Sequence, residues 1–518
     1  MKSLNMTLQL SAEKTYLERN LDQMFVLFMA MLIQMMQFGF AFVEAGVVRS
    51  KNVTNIMMKN LLDVFVAGIA YWCLGFAFAY GPGNSFIGWE HWALSDLPDV
   101  GLAFFLFQFV ISATSSTIVS GAVAERCEMV AYFAYSFFIT GFIYPVVSRW
   151  VWCADGWLNK GHYYEINGVT QKIHFYDFAG SGAVHLVGGT ASFFGALILG
   201  PRLGRFHHET NTVIHLRGHS APMTAFGTFI LLVGFLAFNG GSQLSITNPG
   251  DGESVGLSMV NTVISASTAG YASVIIRRAG ILGRHWSLIY TVNGAIAGMV
   301  AICAGCNAVR PWGAAAVGVG AGVTFNFVSW LMLKAKIDDP ADAVAVHFGG
   351  GVWGLLAVAF LKYDTGILTS WDRRSGLILA WQLVGISAII AWVGCLSALM
   401  FLILKLTGYF RISEEMERKG VDVPKHGGPA YPPESYGHGY VEQITEVLQN
   451  GQLSTSNIGY DNYETRDGSD VGLYESPEVK VMKHLQVRSV SELVMAPPSN
   501  ESQVNPSSQS NDAFEDDR

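Results

Sequence analysis

Charge is scarce in this chain. Asp, Glu, Lys and Arg make up 14% of its 518 residues, against about a quarter in an ordinary soluble domain. A soluble fold is therefore excluded wherever the apolar residues cluster. Basic residues are scarcer still: 32 Lys and Arg face 40 Asp and Glu, for a net charge of −8. No basic stripe offers itself to nucleic acid. Cysteine is sparse as well. Cys73, Cys127, Cys153, Cys303, Cys306 and Cys395 are scattered in or beside apolar stretches, which argues against a disulfide framework. Cys303-Ala-Gly-Cys306 is a lone CxxC in an apolar setting. No cleaved leader is expected, because residues 1–20 are polar and the first apolar run is long enough to span a bilayer by itself.

The apolar residues, 51% of the chain, do cluster. About eleven stretches reach the roughly 20 residues that a bilayer crossing needs. They run near 23–45, 61–81, 100–123, 130–149, 178–200, 222–240, 255–277, 286–303, 311–333, 343–361 and 378–407. The 286–303 stretch is the weakest, being short and holding Asn293. With 56 glycines and few alternating runs, the spans read as close-packed helices rather than barrel strands. The expected fold class is an all-α polytopic membrane protein.

Lys and Arg in the loops give the orientation. Arg49, Lys51 and Lys59 follow the first span, Arg202, Arg205 and Arg217 the fifth, Arg277, Arg278 and Arg284 the seventh, and Lys334 and Lys336 the ninth. With eleven spans all four loops share one side, while the loops at 82–99 and 240–254 carry no Lys or Arg. This places the N-terminus outside and the C-terminus inside. Lys362, Arg373 and Arg374 disagree, and Lys2, Lys14 and Arg19 also lie on the expected outside.

Two nearly identical heptapeptides stand out: AVHLVGG at 183–189 and AVHFGGG at 345–351. They fall in the fifth and tenth spans. Asp177 precedes His185 by eight residues, and Asp339 precedes His347 by eight. Two inverted blocks of five spans plus a final helix explain this echo, because inverted repeats meet at the bilayer midplane and place a substrate site there. A polar side chain in hydrocarbon is costly and faces the bundle interior to do a job. A neutral histidine pair can share one N–H···N bond and still present one donor and one acceptor to a small polar solute. Two histidines on facing helices can also ligate a haem iron, although the rest of the chain offers no redox partner, and no cofactor is expected.

At these residues the chain resembles the ammonium transporter (Amt/Mep/Rh) family, most closely its Amt branch. The resemblance is carried by FAFVEAGVVRSKN at 40–52, SGAVAER at 120–126, YPVVSRWVW at 144–152, DFAGSGAVHLVGGTASFFGALILGPRLGRF at 177–206, FNGGS at 238–242, AGCNAVRPW at 304–312, DDPADAVAVHFGGGVWG at 338–354 and ISEEMERKGVDVPKHGGPAY at 412–431. It implies a transporter rather than an enzyme: a homotrimer in the plasma membrane, with eleven helices and one pore per subunit. Its substrate would be ammonium or ammonia, with methylammonium as a further candidate. The resemblance also implies residue roles. Trp152, Ser242 and Phe107 would form an outer recruitment site. Phe238 would be the inner ring of a stacked gate, and His185 and His347 the twin-histidine pair. Asp177 and Asp342 would support the site structurally. A Trp face attracts a partly desolvated cation by roughly 0.5–2 kcal/mol, too little to carry a bare ion through hydrocarbon. The ion is therefore expected to give up its proton while ammonia passes.

One departure matters. The upper gate position, Phe in many family members, is Ile111, so two stacked rings cannot close the pore. This keeps open an electroneutral ammonia channel as an alternative to ammonium transport. Arg149 lies near the expected mouth, with Asp155 and Glu165 as candidate partners. Glu44, near the inner end of the first span, is expected to snorkel to water, with help for departing cations as the alternative reading. The expected layout is an extracellular segment at 1–22, a transport domain at 23–410, an ordered start of the tail at 411–440 and a disordered polar tail at 441–518. The long tail motivates a second alternative, an ammonium sensor that signals through it. Asn5-Met-Thr7 is a glycosylation acceptor on the outside.

Overall fold

The computed structural model describes residues 15–99, 101–210, 212–280 and 285–432. The expected tail at 441–518 and the Asn5 acceptor lie outside the described residues. Ten helices among the described residues are long and apolar enough to cross a membrane. They are α1 (Tyr16–Val47), α2 (Ser50–Tyr80), α3 (Gly101–Val123), α4 (Met129–Lys160, with a turn before its last four residues), α5 (Ser181–Leu199), α6 (Ala221–Gly241) and α7 (Asp251–Arg278), then, after the shorter α8, α9 (Pro311–Lys334), α10 (Val344–Leu361) and α11 (Arg373–Leu406). The apolar helix α8 (Leu288–Ile302) is only 15 residues long, about 22 Å at 1.5 Å per residue. The chain after it continues as buried irregular backbone. The carbonyls of Cys303 and Ala304 accept from the amides of Ala179 and Phe178, and those of Cys306 and Val309 accept from Asn261 Nδ2. Non-helical backbone at membrane depth is tolerated only where protein satisfies it in this way.

Local chemistry sets the helix ends. Thr15 and Glu18 cap α1 reciprocally, and Asp372 and Ser375 do the same for α11. Helix α2 begins eleven residues before the expected apolar run. Its first turns carry Asn52, Asn55, Lys59, Asn60 and Asp63, all buried, so this stretch faces protein instead of lipid and its hydropathy hides the helix. One element was not expected at all. Between α4 and α5 a hairpin pairs β1 (His162–Ile166) with β2 (Val169–Ile173). Its two-residue turn is Asn167-Gly168, both with positive φ, the pair that a tight type I′ turn favours.

Helices α1 and α6 open the two blocks and cross at contact distance. A Cβ at Gly39 would lie 2.7 Å from Leu231 Cγ, and one at Gly227 would lie 2.6 Å from the Gly39 carbonyl. The basic loops gather on one face, cytosolic on the positive-inside rule. There Glu125 accepts from Arg49 Nε at 3.1 Å, Asn52 Nδ2 at 3.1 Å and Arg202 Nη1 at 2.9 Å. Asp338 takes Arg202 Nε at 2.7 Å and Arg205 Nε at 3.0 Å. The chain after α11 docks on this face through α12 (Glu414–Lys419) and α13 (Asp422–His426). Asp422 accepts from the Thr54 and Asn55 amides at 3.0 and 2.9 Å, and Tyr431 Oη meets His219 Nε2 at 2.9 Å.

Burial opposes ionisation of Glu125, but the guanidiniums of Arg202 and Arg49 overcome it and hold its carboxyl down at about 2. Asp338, against Arg202, is held low for the same reason. A depressed carboxyl stabilises the fold above its ordinary value of 4.5, and that contribution is lost as pH falls through about 2. The melting temperature of the detergent-purified protein should therefore fall steadily on acidification from about pH 5 toward pH 2. Glu125→Gln should flatten that dependence and lower stability at neutral pH by roughly 3–5 kcal/mol, because it leaves buried cations unpaired. Differential scanning fluorimetry against pH checks both outcomes.

Candidate functional site

The two histidines meet. His185 Nδ1 and His347 Nδ1 are 3.2 Å apart, with ring planes 22° from parallel. Each lies on a six-residue π-helical turn, Ser181–Leu186 at the start of α5 and Val344–Gly349 at the start of α10. Such turns are rare and recur at functional sites. Both side chains are buried. One Nδ1 must donate and the other accept, so one ring keeps an Nε2 lone pair and the other an Nε2–H.

The glycines after each histidine make this contact possible. A Cβ at Gly189 would sit 2.2 Å from the Phe348 amide nitrogen, and one at Gly351 would sit 2.6 Å from the Ser181 carbonyl and 3.1 Å from the Leu186 nitrogen. The two contacts mirror each other: Gly189 and Gly351 occupy the same place in the two heptapeptides, and so do Leu186 and Phe348. The preceding glycines repeat the pattern, Gly188 against Ser115 and Ile118 of α3, Gly350 against Ala297 and Val300 of α8.

Each block also carries a carboxylate cap. Asp177 accepts from the amides of Gly180, Gly182 and Ala183 at 3.0, 2.8 and 2.9 Å. Asp339 accepts from the Val344 amide at 2.7 Å. Burial lifts the Asp177 carboxyl to about 6, against the pull of those amides toward the ionised form, and burial next to Asp342 lifts Asp339 to about 7. Asp342 makes no such cap. It accepts from Ser329 Oγ at 2.9 Å, and the place equivalent to Asp177 belongs to Asp339.

The remaining site residues fall into separate contact sets. Trp152 Nε1 donates to the Asp177 carbonyl at 2.8 Å, which fixes the indole beside Gly180. Ser242 Oγ donates to the Phe238 carbonyl at 2.7 Å, leaving its oxygen lone pairs available. Phe107 is buried against Gly241 and makes no ring–ring contact among the described residues, so it does not stack on Phe238. Ile111 is buried. The ring stack is built elsewhere. Phe235 and Phe238 lie 5.5 and 5.6 Å from His185, and Phe40 lies 6.2 Å from His347. Phe235 and Phe40 were not anticipated. The three-residue spacing of Phe235 and Phe238 on one helix face was the available signal for Phe235.

Two expectations about charge are corrected. Arg149 pairs with neither Asp155 nor Glu165. It is fully buried and donates to the carbonyls of Asn84 at 2.7 Å, Gly81 at 2.7 Å and Ala79 at 3.2 Å, while Asp155 pairs with Lys160. Backbone carbonyls take its Nε and Nη1 donors in place of either carboxylate. Glu44 does not reach water either. It is buried and accepts from Asn60 Nδ2 at 2.7 Å and from Ser120 Oγ, because α2 and α3 supply polar partners at the same depth.

Residues 23–431 match the model of the Ammonium Transporter Family. A Caenorhabditis elegans protein is 46% identical over 455 residues, covering 83% of each chain. Ammonium transporter 1 member 3 of Solanum lycopersicum is 40% identical over 435 residues, 80% of this chain and 93% of its own. Among solved structures, one named Sensor Amt Protein is similar with a TM-score of 0.72 at 31% identity, over 79% of this chain and 99% of that one. Mep2 of Candida albicans superposes with a TM-score of 0.67 at 24% identity, over 76% and 87% of the two chains, a likeness of fold.

Because a Cβ at Gly189 would strike backbone instead of a movable side chain, Gly189→Ala should force α5 and α10 apart. The expected cost is about 1–3 kcal/mol or more, read as a lower melting temperature. Separation of the rings should also appear as loss of the shared N–H···N hydrogen bond in the nitrogen NMR spectrum of ring-labelled histidine.

Proposed function

The chain belongs to the ammonium transporter family, and from that premise we propose that it carries ammonium across a membrane by splitting it into ammonia and a proton. The observation that carries the reading is the 3.2 Å contact between His185 and His347, buried among the rings of Phe40, Phe235 and Phe238. The cation is recruited against the Trp152 face, which the bond to Asp177 orients, and donates one N–H to the Ser242 oxygen, whose own proton is already committed to Phe238. Phe107 lines the same recruitment site. Cation–π attraction and one hydrogen bond hold the ion there but do not offset full dehydration. The proton therefore leaves, and neutral ammonia moves past Phe238 and the histidine pair. The shared N–H···N bond lets one ring take a proton at one end while the other releases one at its far end.

The homotrimer, the plasma membrane as its location and methylammonium as a further substrate follow from family membership and stand as part of the proposal. A second reading, electroneutral ammonia passage, is favoured by one feature. Ile111 is aliphatic, and Phe107 and Phe238 do not stack, so the gate above the histidines lacks a ring pair to hold a cation. A third reading is a sensor, and the likeness to the structure named Sensor Amt Protein keeps it in the test.

Purified protein in proteoliposomes, given an ammonium pulse while current and internal pH are recorded together, separates these readings. Transport predicts a current that scales with protein and falls by about a hundredfold or more in His185→Ala, the scale of losing a proton-transfer group. Internal alkalinisation without current would mean neutral ammonia conduction, and Ile111→Phe should then reduce that flux. Ammonium binding with neither signal would make the protein a sensor.

A further inference from the structure

Below the histidine pair, toward the basic face, lies a cavity of about 30 Å³ lined by His347, Phe40, Glu44, Asn293, Val346 and Leu231 among others. A water-sized solute needs roughly 10–15 Å³ of such volume, so the cavity admits one or two molecules the size of ammonia. Its wall holds an isolated acid. Glu44 is only 3% exposed, and its two hydrogen-bond partners, Asn60 and Ser120, are both uncharged. The neighbouring buried acid, Asp63, is occupied by Ser116 at 2.9 Å and Thr117 at 2.5 Å. Lys59 spends its ammonium on the Cys127 carbonyl at 2.6 Å. Glu44 alone of these groups lines the cavity.

The opening at Glu44 is built by a missing side chain. A Cβ at Gly121 would lie 2.8 Å from Ala341 Cβ and 3.5 Å from Glu44 Oε1, closing the space between the carboxyl and the approach to α10. Hydrocarbon-buried carboxylates that neither bind a cation nor exchange a proton are rare because of their cost.

We propose that this cavity is an inner cation site in which Glu44 holds the ammonium re-formed below His347 before its release at the basic face. The inference rests on the transport reading above and adds a binding residue to it. The nitrogen lone pair of ammonia takes the proton from His347 Nε2; one N–H bond forms as the imidazole N–H breaks. The incoming ammonium gives a proton to His185 Nε2, the Nδ1 proton shifts from His185 to His347, and the proton already on His347 Nε2 is the one released, so charge is relayed and nothing is oxidised or reduced. The Glu44 carboxylate balances the new charge through a charge-assisted hydrogen bond, and the Phe40 ring beside His347 offers a π face to the same cation.

The test uses full-length protein in proteoliposomes, with ammonium currents recorded when the ion is supplied at the basic face and, separately, at the opposite face. Glu44→Gln preserves the shape and can still accept from Asn60 and Ser120. For it the KM at the basic face should rise about tenfold, the scale of one lost charged contact, while KM at the opposite face stays within about twofold. Glu44→Asp, which keeps the charge on a shorter stem, should fall between. If Glu44→Gln does not elute as folded protein on size exclusion, the same one-sided rise in Glu44→Asp decides. Equal shifts at both faces, or none, overturn the inner site while an intact parental current leaves the transport reading standing. A parent protein with neither current nor flux overturns the transport reading and the inner site with it.

Discussion

Everything at the centre of this molecule depends on two backbones touching. Gly189 abuts the Phe348 amide and Gly351 abuts the Ser181 carbonyl and Leu186 amide, a close approach that only residues as small as glycine allow two helices. At that spacing the π-helical turns point two imidazoles at each other with 3.2 Å between nitrogens. A single methyl group on either glycine would have to sit inside the partner's backbone. The histidine pair is thus a consequence of the crossing, and the crossing of the glycines.

Around this point the fold solves the problem of polar groups in hydrocarbon with local partners. Asp177 and Asp339 take up the free amides at the starts of α5 and α10. Arg149 is tied to three backbone carbonyls, which hold it away from the acids of the outer loops. Ser181 accepts from the Ala304 amide and donates to the Val300 carbonyl, tying the irregular end of α8 to α5. Glu44 differs because it alone of these buried acids also faces a cavity. That combination sets it apart as a group with work beyond structure.

At the basic face the logic changes from hydrogen bonds to ion pairs. Glu125 and Asp338 gather Arg49 from one loop and Arg202 and Arg205 from another, and the segment through Tyr431 docks on the same face. Both carboxyls are ionised because guanidiniums surround them, and two acids tie these loops together.

The sequence by itself determined the membrane class, the approximate spans and the paired histidines, because each rests on a one-dimensional pattern: apolar run length, the side of Lys and Arg, and a heptapeptide written twice. It hid the start of α2, whose polar residues are buried against protein, and it misjudged Arg149 and Glu44, since a charged residue's partner depends on what lies beside it in space. Only the tertiary structure decided that Phe235 and Phe40 flank the histidines and that Phe107 does not stack on Phe238. Each of those facts turns on distances between helices far apart in the chain, set by where glycine lets backbones meet.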